Sequence, residues 1–324
     1  MSGRILVTGG AGYVGSACCF ALAEAAREPV VLDDLSTGHR AFVRWGPFVE
    51  GDIADQDLVR RTIREHGITA VMHFAAKALV GESVREPELY DTWNRGKTTA
   101  LIEAAKAEGV GAFVFSSTCA VYGEPERVPI TESESREPIN PYGVSKVACE
   151  DALEASGIPH AALRYFNAAG GVPDQQVGEH RDIETHLIPL AIRAAHTGTP
   201  LTILGTDYPT PDGTCIRDYI HVLDLASAHI AALQRLEGGG ASGAWNLGTG
   251  QGASVREVVV AVSEALGRDV PVVEGERRPG DPPELVADAS RANADLGWTP
   301  VQSAMADIAA DAVACDALFH DSPA

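Results

Sequence analysis

Residues 8–15 read T8-G-G-A-G-Y-V-G15 and follow a short apolar run at 5–7. Gly9, Gly12 and Gly15 form a GxxGxxG pattern, a variant of the turn that joins a strand to a helix in dinucleotide-binding sheets. The first glycine permits a tight turn, the second lets the backbone approach a pyrophosphate, and the third lets the helix lie close on the strand. An anion held there meets free N–H groups and the positive end of the helix dipole. Tyr13 and Val14, inside the same turn, join the expected cofactor-binding residues. The next apolar run, 30–32, ends at Asp33, 18 residues past Gly15. A carboxylate there accepts hydrogen bonds from the adenosine ribose and repels a 2′-phosphate, so the pattern predicts NAD rather than NADP. G51-D-I53 stands where a third strand should end, which puts Asp52 and Ile53 near the adenine.

The rest of the first half repeats the alternation. Further strands are predicted at 71–74, 113–116 and 161–164, and helices at 14–26, 57–65, 98–108 and 141–155. Strands separated by helices of this length imply right-handed crossovers. The fold class is therefore α/β: a Rossmann-type doubly wound parallel sheet, with a smaller interleaved C-terminal substrate-binding lobe. The cofactor domain is expected over 1–178 and the second lobe over 179–324. Residues 219–222 and 244–247, within a stretch at 217–250, are expected to return to the sheet. Polar loops are predicted at 174–184 and 207–214, and another helix at 255–266. Residues 124–138 read as an acidic loop, and 276–281 as a basic, irregular one.

Composition bounds the function. The chain has 324 residues, 45% of them hydrophobic, so it can bury a large core. Its net charge of −20 argues against nucleic acid or an anionic membrane as partner, though a few local cations suffice for an anionic small molecule. Cys18, Cys19, Cys119, Cys149, Cys215 and Cys315 form no CxxC pair and no zinc spacing, so reduced thiols and no metal are expected. No apolar run has the length of a membrane span, and the first residues lead directly into a strand pattern, so a cytoplasmic setting is expected.

N140-P-Y-G-V-S-K146 carries the chemistry. Asn140 is a natural N-cap and Pro141 a natural first helical residue, which places Tyr142 and Lys146 on one helix face at i and i+4. A tyrosine ordinarily titrates near 10, too high for a base at neutral pH. An adjacent ammonium and a nicotinamide cation stabilise its phenolate. Bringing it near neutrality takes roughly 4 kcal/mol. In F115-S-S-T-C-A-V-Y-G123, after a predicted parallel strand, Thr118 offers a hydroxyl to hold a substrate oxygen beside Tyr142. Thr118, Tyr142 and Lys146 together form a hydride-transfer constellation.

Across nearly its whole length, the chain resembles the nucleotide-sugar epimerases of the extended short-chain dehydrogenase/reductase family. The runs that carry the resemblance are V7-T-G-G-A-G-Y-V-G-S16, H73-F-A-A76 with V80-G-E-S83, S116-S-T-C-A-V-Y-G123, N140-P-Y-G-V-S-K146, R164-Y-F-N-A-A-G170, D207-Y-P-T-P-D-G-T214, R217-D-Y-I-H-V222 and R278-P-G-D281. The resemblance implies a retained NAD, UDP-glucose and UDP-galactose as substrates, inversion at the sugar C4 through a 4-keto intermediate, and a homodimer formed by helices at about 90–108 and 141–155. It implies that Tyr142 is the base, that Lys146 lowers its pKa, and that Thr118 shares the 4′-oxygen.

Phe74, Ala75, Ala76, Asn94, Ser116 and Phe166 are then expected beside the cofactor. Asn167, His186, Leu187, Thr202, Leu204, Arg217, Arg278 and Asp281 are expected to hold the UDP-sugar, with the two arginines on the diphosphate and Asp281 on the uridine ribose. His186 stands where some relatives carry asparagine, and Lys77 is one residue out of step with a cofactor-binding lysine. Leu285 stands where some relatives carry a bulkier tyrosine, which leaves room for N-acetylated UDP-hexosamines. Other UDP-sugars, such as UDP-glucuronate or a UDP-pentose, remain alternative substrates. A 4,6-dehydratase is disfavoured, because Cys119-Ala120 replaces its acid pair. An NAD-binding sensor or scaffold is the reading of a different class.

Overall fold

The computed structural model describes residues 3–181, 183–278 and 280–320, leaving out the side chain of His320. Pro279 of the R278-P-G-D281 run and Asp182 of the 174–184 loop thus lie outside the described residues. The strands are β1 (Arg4–Thr8), β2 (Pro29–Asp33), β3 (Phe48–Glu50), β4 (Ile68–His73), β5 (Ala112–Thr118), β6 (His160–Tyr165), β7 (Asn167–Ala169), β8 (Gly171–Val172), β9 (Val177–Gly178), β10 (Leu201–Leu204), β11 (Ile216–His221), β12 (Gly243–Leu247), β13 (Gly252–Ser254), β14 (Val272–Gly275) and β15 (Glu284–Leu285). The helices are α1 (Tyr13–Glu24), α2 (Gln56–His66), α3 (Val80–Arg85), α4 (Pro87–Tyr90), α5 (Lys97–Ala107), α6 (Pro141–Ser156), α7 (Leu187–Thr197), α8 (Val222–Glu237), α9 (Val255–Leu266), α10 (Ser290–Leu296) and α11 (Met305–His320).

Seven parallel strands form the main sheet in the order β12-β6-β5-β4-β1-β2-β3. Every residue of β2 and β5 is buried, as expected of a parallel sheet covered on both faces. One face packs under α1 and α8, around Leu22, Leu225, Leu233 and Trp245. The other packs under α2, α5 and α6, around Val59, Ile63, Leu101 and Leu153. The strand order reverses between β1 and β4, so a crevice opens at their C-terminal ends, the place where ligands bind in such sheets.

The predicted strands and helices of the first half appear, with boundaries moved by a few residues. One expectation is corrected. Residues 219–222 do not return to the main sheet: β11 pairs instead with β7, β13 and β15. Its buried Asp218 accepts N–H bonds from Thr249, Gly250 and Ala287, which ties the strand to the loops of the smaller lobe. Only β12 returns, beside β6. The smaller lobe has its own core, where α7, α9 and α11 bury Ile188, Ile192, Val258, Val262 and Ile308. The six cysteines are free thiols, and all but the half-buried Cys119 are buried. Among the described residues no helix is long and apolar enough to cross a membrane.

Candidate active site

The glycine turn is built as a cradle. Gly9 has a φ of +73°, and a Cβ there would stand 2.4 Å from the Ala75 nitrogen at the end of β4. A Cβ on Gly15 would stand 2.2 Å from the Gly9 carbonyl, so α1 can lie this close only with glycine. Around Gly12 the nearest atom is the Gly9 carbonyl at 3.3 Å, which leaves backbone open to the groove. Helix α1 has no acidic residue in its first turn and no side-chain cap, so its leading N–H groups remain for an anion. Val14 packs partly into the core, and the Tyr13 hydroxyl donates to the Gly170 carbonyl at 2.8 Å, tying the link between β7 and β8 to the turn. Asp33 ends β2 with its carboxylate accepting from Ala11 N at 3.0 Å and Leu35 N at 2.9 Å. Burial pushes this carboxyl up, and the two backbone bonds oppose that shift. Each oxygen keeps a lone pair for a ribose hydroxyl. The turn, the bare helix end and the strand-end acid together fit a dinucleotide.

Phe74, Ala75 and Ala76 leave β4 half-buried at the crevice, and the Phe74 ring lies 4.7 Å from that of His229. A π-helical turn, Asp91–Gly96, precedes α5. Such turns widen a helix locally and are frequent at functional sites. From it, Asn94 accepts from Lys77 N, donates to Lys77 O (both 2.9 Å) and reaches Ser145 at 3.1 Å. It thereby ties the loop after β4 to α6. Asp52 accepts from Ala54 N at 2.9 Å and from Lys97 at 2.7 Å, while Ile53 is buried in the core.

The catalytic candidates meet at the end of β5. Asn140 caps α6 by accepting from Gly143 N at 2.9 Å, with Pro141 first in the helix. Lys146, buried one turn later, donates to the Ser116 carbonyl at 2.8 Å. Its ammonium lies 5.8 Å from the Tyr142 ring centre and 4.8 Å from that of Phe115. Burial pushes this ammonium down to about 8. Thr118, at the end of β5, accepts from Ala120 N at 3.2 Å. In the protein alone the Tyr142 phenol is raised, by burial first and then by Tyr165, while the nearby Thr118 hydroxyl pulls it down. The lowering expected from the sequence thus needs positive charge beyond Lys146 alone. Ser116 shares a 2.6 Å hydrogen bond with Tyr165, and Phe166 is buried against Val121, Tyr122 and Ile130.

The candidates for the sugar nucleotide divide into three groups. Arg217, Arg278 and Asp281 come together: the Asp281 carboxylate accepts from Arg217 at 2.5 Å and from Arg278 at 2.9 Å. Arg278 and Asp281 line a cavity of about 540 Å³ with Tyr208, Arg277 and Pro282. Asn167 donates to the Asp218 carbonyl at 3.1 Å, and Leu285 pairs in register with Arg217 on neighbouring strands. Thr202 and Leu204 occupy the exposed face of β10. Leu187 begins α7 and His186 stands just before it, where its imidazole lies 2.6 Å from Glu179.

Sequence reasoning passed over several groups. Glu150 and Arg164 form a buried pair at 2.5 Å, joined by Ser117 and Tyr122. Such a pair leaves no local pattern, because its members lie 14 residues apart on a helix and a strand. Lys97 and Trp93 stand in contact near Asp52. Their i,i+4 spacing was the available signal.

Residues 5–248 match the NAD dependent epimerase/dehydratase family. Among curated relatives, the UDP-glucose 4-epimerase of Azospirillum brasilense is 47% identical over 99% of this chain and 94% of its own length. That of Rhizobium meliloti (strain 1021) is 48% identical over 92% of each. Among solved structures, the UDP-glucose 4-epimerase of Brucella ovis in complex with NAD superposes with a TM-score of 0.93, at 48% identity, covering 96% of this chain and 98% of that one. The match runs through the glycine cradle, Asp33 and the Tyr142–Lys146 helix alike, and the chain belongs to the NAD dependent epimerase/dehydratase family.

Proposed function

We propose that this protein interconverts UDP-glucose and UDP-galactose with a retained NAD. The reading rests above all on one observation: the buried Lys146, one turn after Tyr142 on α6, donates to the Ser116 carbonyl and sets its ammonium 5.8 Å from the Tyr142 ring centre at the end of β5. The relatives named as UDP-glucose 4-epimerases over nearly the whole chain supply its substrate. Bound NAD supplies reversible hydride acceptance from the sugar C4. The chain supplies the rest. Gly9, Gly12, Gly15 and the α1 N–H groups would hold the pyrophosphate, and Asp33 the adenosine ribose. Tyr142 would take the proton from the 4′-hydroxyl as that carbon becomes a ketone. After the ketone turns over about its link to the diphosphate, the same group would return the proton, so base and acid are one residue. Lys146 supplies the charge that makes the phenolate accessible, and Thr118 holds the oxygen.

Arg217 and Arg278 would exchange their bonds to Asp281 for diphosphate oxygens, a geometry that guanidinium forks match well. Asp281 would then be released towards the uridine ribose. In this reading 1–178, with β12 completing its sheet, serves the cofactor, and 179–324 the sugar nucleotide. The enzyme would work in the cytoplasm, in galactose metabolism, as a homodimer through α5 and α6. The test uses purified protein and UDP-galactose with no added NAD. UDP-glucose should appear and approach one ratio from either side. A protein that carries NAD yet leaves UDP-galactose, UDP-glucuronate, UDP-pentoses and N-acetylated UDP-hexosamines unchanged would sink the proposal in favour of a sensor.

A further inference from the structure

Three acids converge where β2 and β3 end: Asp33, Asp34 and Asp52. This is the corner where the adenosine of a dinucleotide would lie. Unopposed, they would repel a cofactor that itself carries a negatively charged diphosphate. Lys97, the first residue of α5, answers this charge. Its ammonium donates to Asp52 at 2.7 Å, lies 4.0 Å from Asp34, and stands 3.4 Å from the centre of the Trp93 ring. The Lys77 ammonium lies 4.9 Å from the same ring. The indole thus carries two cations at this end of the groove.

The Asp52 carboxylate is held from two sides, by Ala54 N and by Lys97. Its side chain remains 44% exposed, whereas Lys97 is only 15% exposed. An acid that is both fixed and open is what a ligand hydrogen bond requires. The π-helical turn places this arrangement: Trp93 lies inside it and Lys97 follows it directly.

We propose that Lys97 is a cofactor-positioning residue: held on Trp93, it neutralises Asp34 and Asp52 and aims the Asp52 carboxylate at the adenosine half of the dinucleotide. This rests on the cofactor reading given above. Lys97 acts through Asp52 and touches no reacting atom, so its loss should change cofactor retention and leave the sugar step alone.

The test compares the full-length wild type with Lys97→Met, Lys97→Arg and Asp33→Ala. NAD retained per chain after gel filtration is counted, and thermal melts are run across an NAD titration. Ligand that binds only the folded protein raises Tm according to its Kd, which separates weaker binding from a weaker fold. Lys97→Met should retain less NAD and need about ten-fold more of it for the same rise in Tm. Its Tm without NAD should match that of the wild type, and its titration should run parallel but displaced along the NAD axis, with KM for UDP-galactose unchanged. Lys97→Arg should stay close to wild type. A Lys97→Met protein that follows the wild-type titration overturns the inference, and so does a Tm deficit that is already present without NAD and stays constant as NAD is added. If Asp33→Ala loses NAD while Lys97→Met keeps it, the cofactor reading survives and only the role of Lys97 falls. A wild type without bound NAD and without any NAD-dependent rise fails the cofactor reading itself.

Discussion

Tyr142 shows how far one residue depends on its surroundings. Burial raises its phenol, and the Lys146 ammonium is itself pushed down to about 8. The phenolate thus depends on positive charge brought beside it, and the base and the lysine can be removed separately. Tyr142→Phe keeps the ring and removes the proton carrier. It should lower kcat by about a thousand-fold while NAD remains bound, as counted after acid release; near-normal turnover would refute the assigned base. Lys146→Ala removes the cation that favours the phenolate. Activity should rise with pH as the phenol ionises, and in this variant that rise should shift to higher pH by about one unit or more. A pH–rate profile of kcat/KM for both proteins decides the point. At the sugar end, Leu285→Tyr should selectively slow N-acetylated UDP-hexosamines against UDP-galactose, read as a ratio of kcat/KM values.

At the scale of elements, α6 does two jobs along one face. Tyr142 and Lys146 lead it, and Glu150, one turn further on, is buried against β6 through Arg164. Burial alone would raise the Glu150 carboxyl, but the Arg164 fork, Ser117 and Arg136 outweigh it and hold the group below its ordinary range. A depressed carboxyl contributes stability that is fully present above its unfolded pKa of about 4.3 and is lost as pH falls through the lower folded value. Acid unfolding of the wild type should therefore steepen below about pH 4. Glu150→Gln strands the Arg164 charge and should cost roughly 3 kcal/mol at neutral pH. It should also flatten that acid limb, as urea melts at several pH values would show. An unchanged acid limb would mean that the pair does not anchor the helix.

At the scale of the whole molecule, Asp218 joins the parts. It is fully buried, and its carboxylate accepts from Thr249 N and Oγ1 at 2.9 and 2.7 Å, and from Gly250 N and Ala287 N at 3.1 Å each. Its neighbour Arg217 faces Leu285 across paired strands. Asp218→Ala would leave the buried Ala287 N–H unpaired, at about 1–3 kcal/mol, and release the Thr249 and Gly250 donors as well. The variant should melt earlier and lose affinity for UDP, by calorimetry, more than it loses NAD. Equal losses for both ligands would show general unfolding rather than a loosened lobe.

The repeated strand–helix pattern and the glycine turn made the doubly wound sheet legible in the chain, because backbone geometry and period are local properties. The same holds for the capped helix with Tyr142 and Lys146 one turn apart, and for Asp33 at the end of its strand. Pairing is not local. Residues 216–221 have the pattern of any strand, and nothing in that pattern says that they join β7, β13 and β15 rather than the main sheet. The smaller lobe also escaped detailed reading, since its helices α7 and α11 are held by contacts with distant segments. Charge compensation follows the same division. The spacing of Asp33, Asp52 and Lys97 is visible in one dimension, but that Lys97 reaches Asp52, and that Asp281 draws Arg217 and Arg278 together, depends on through-space distances that only folding sets.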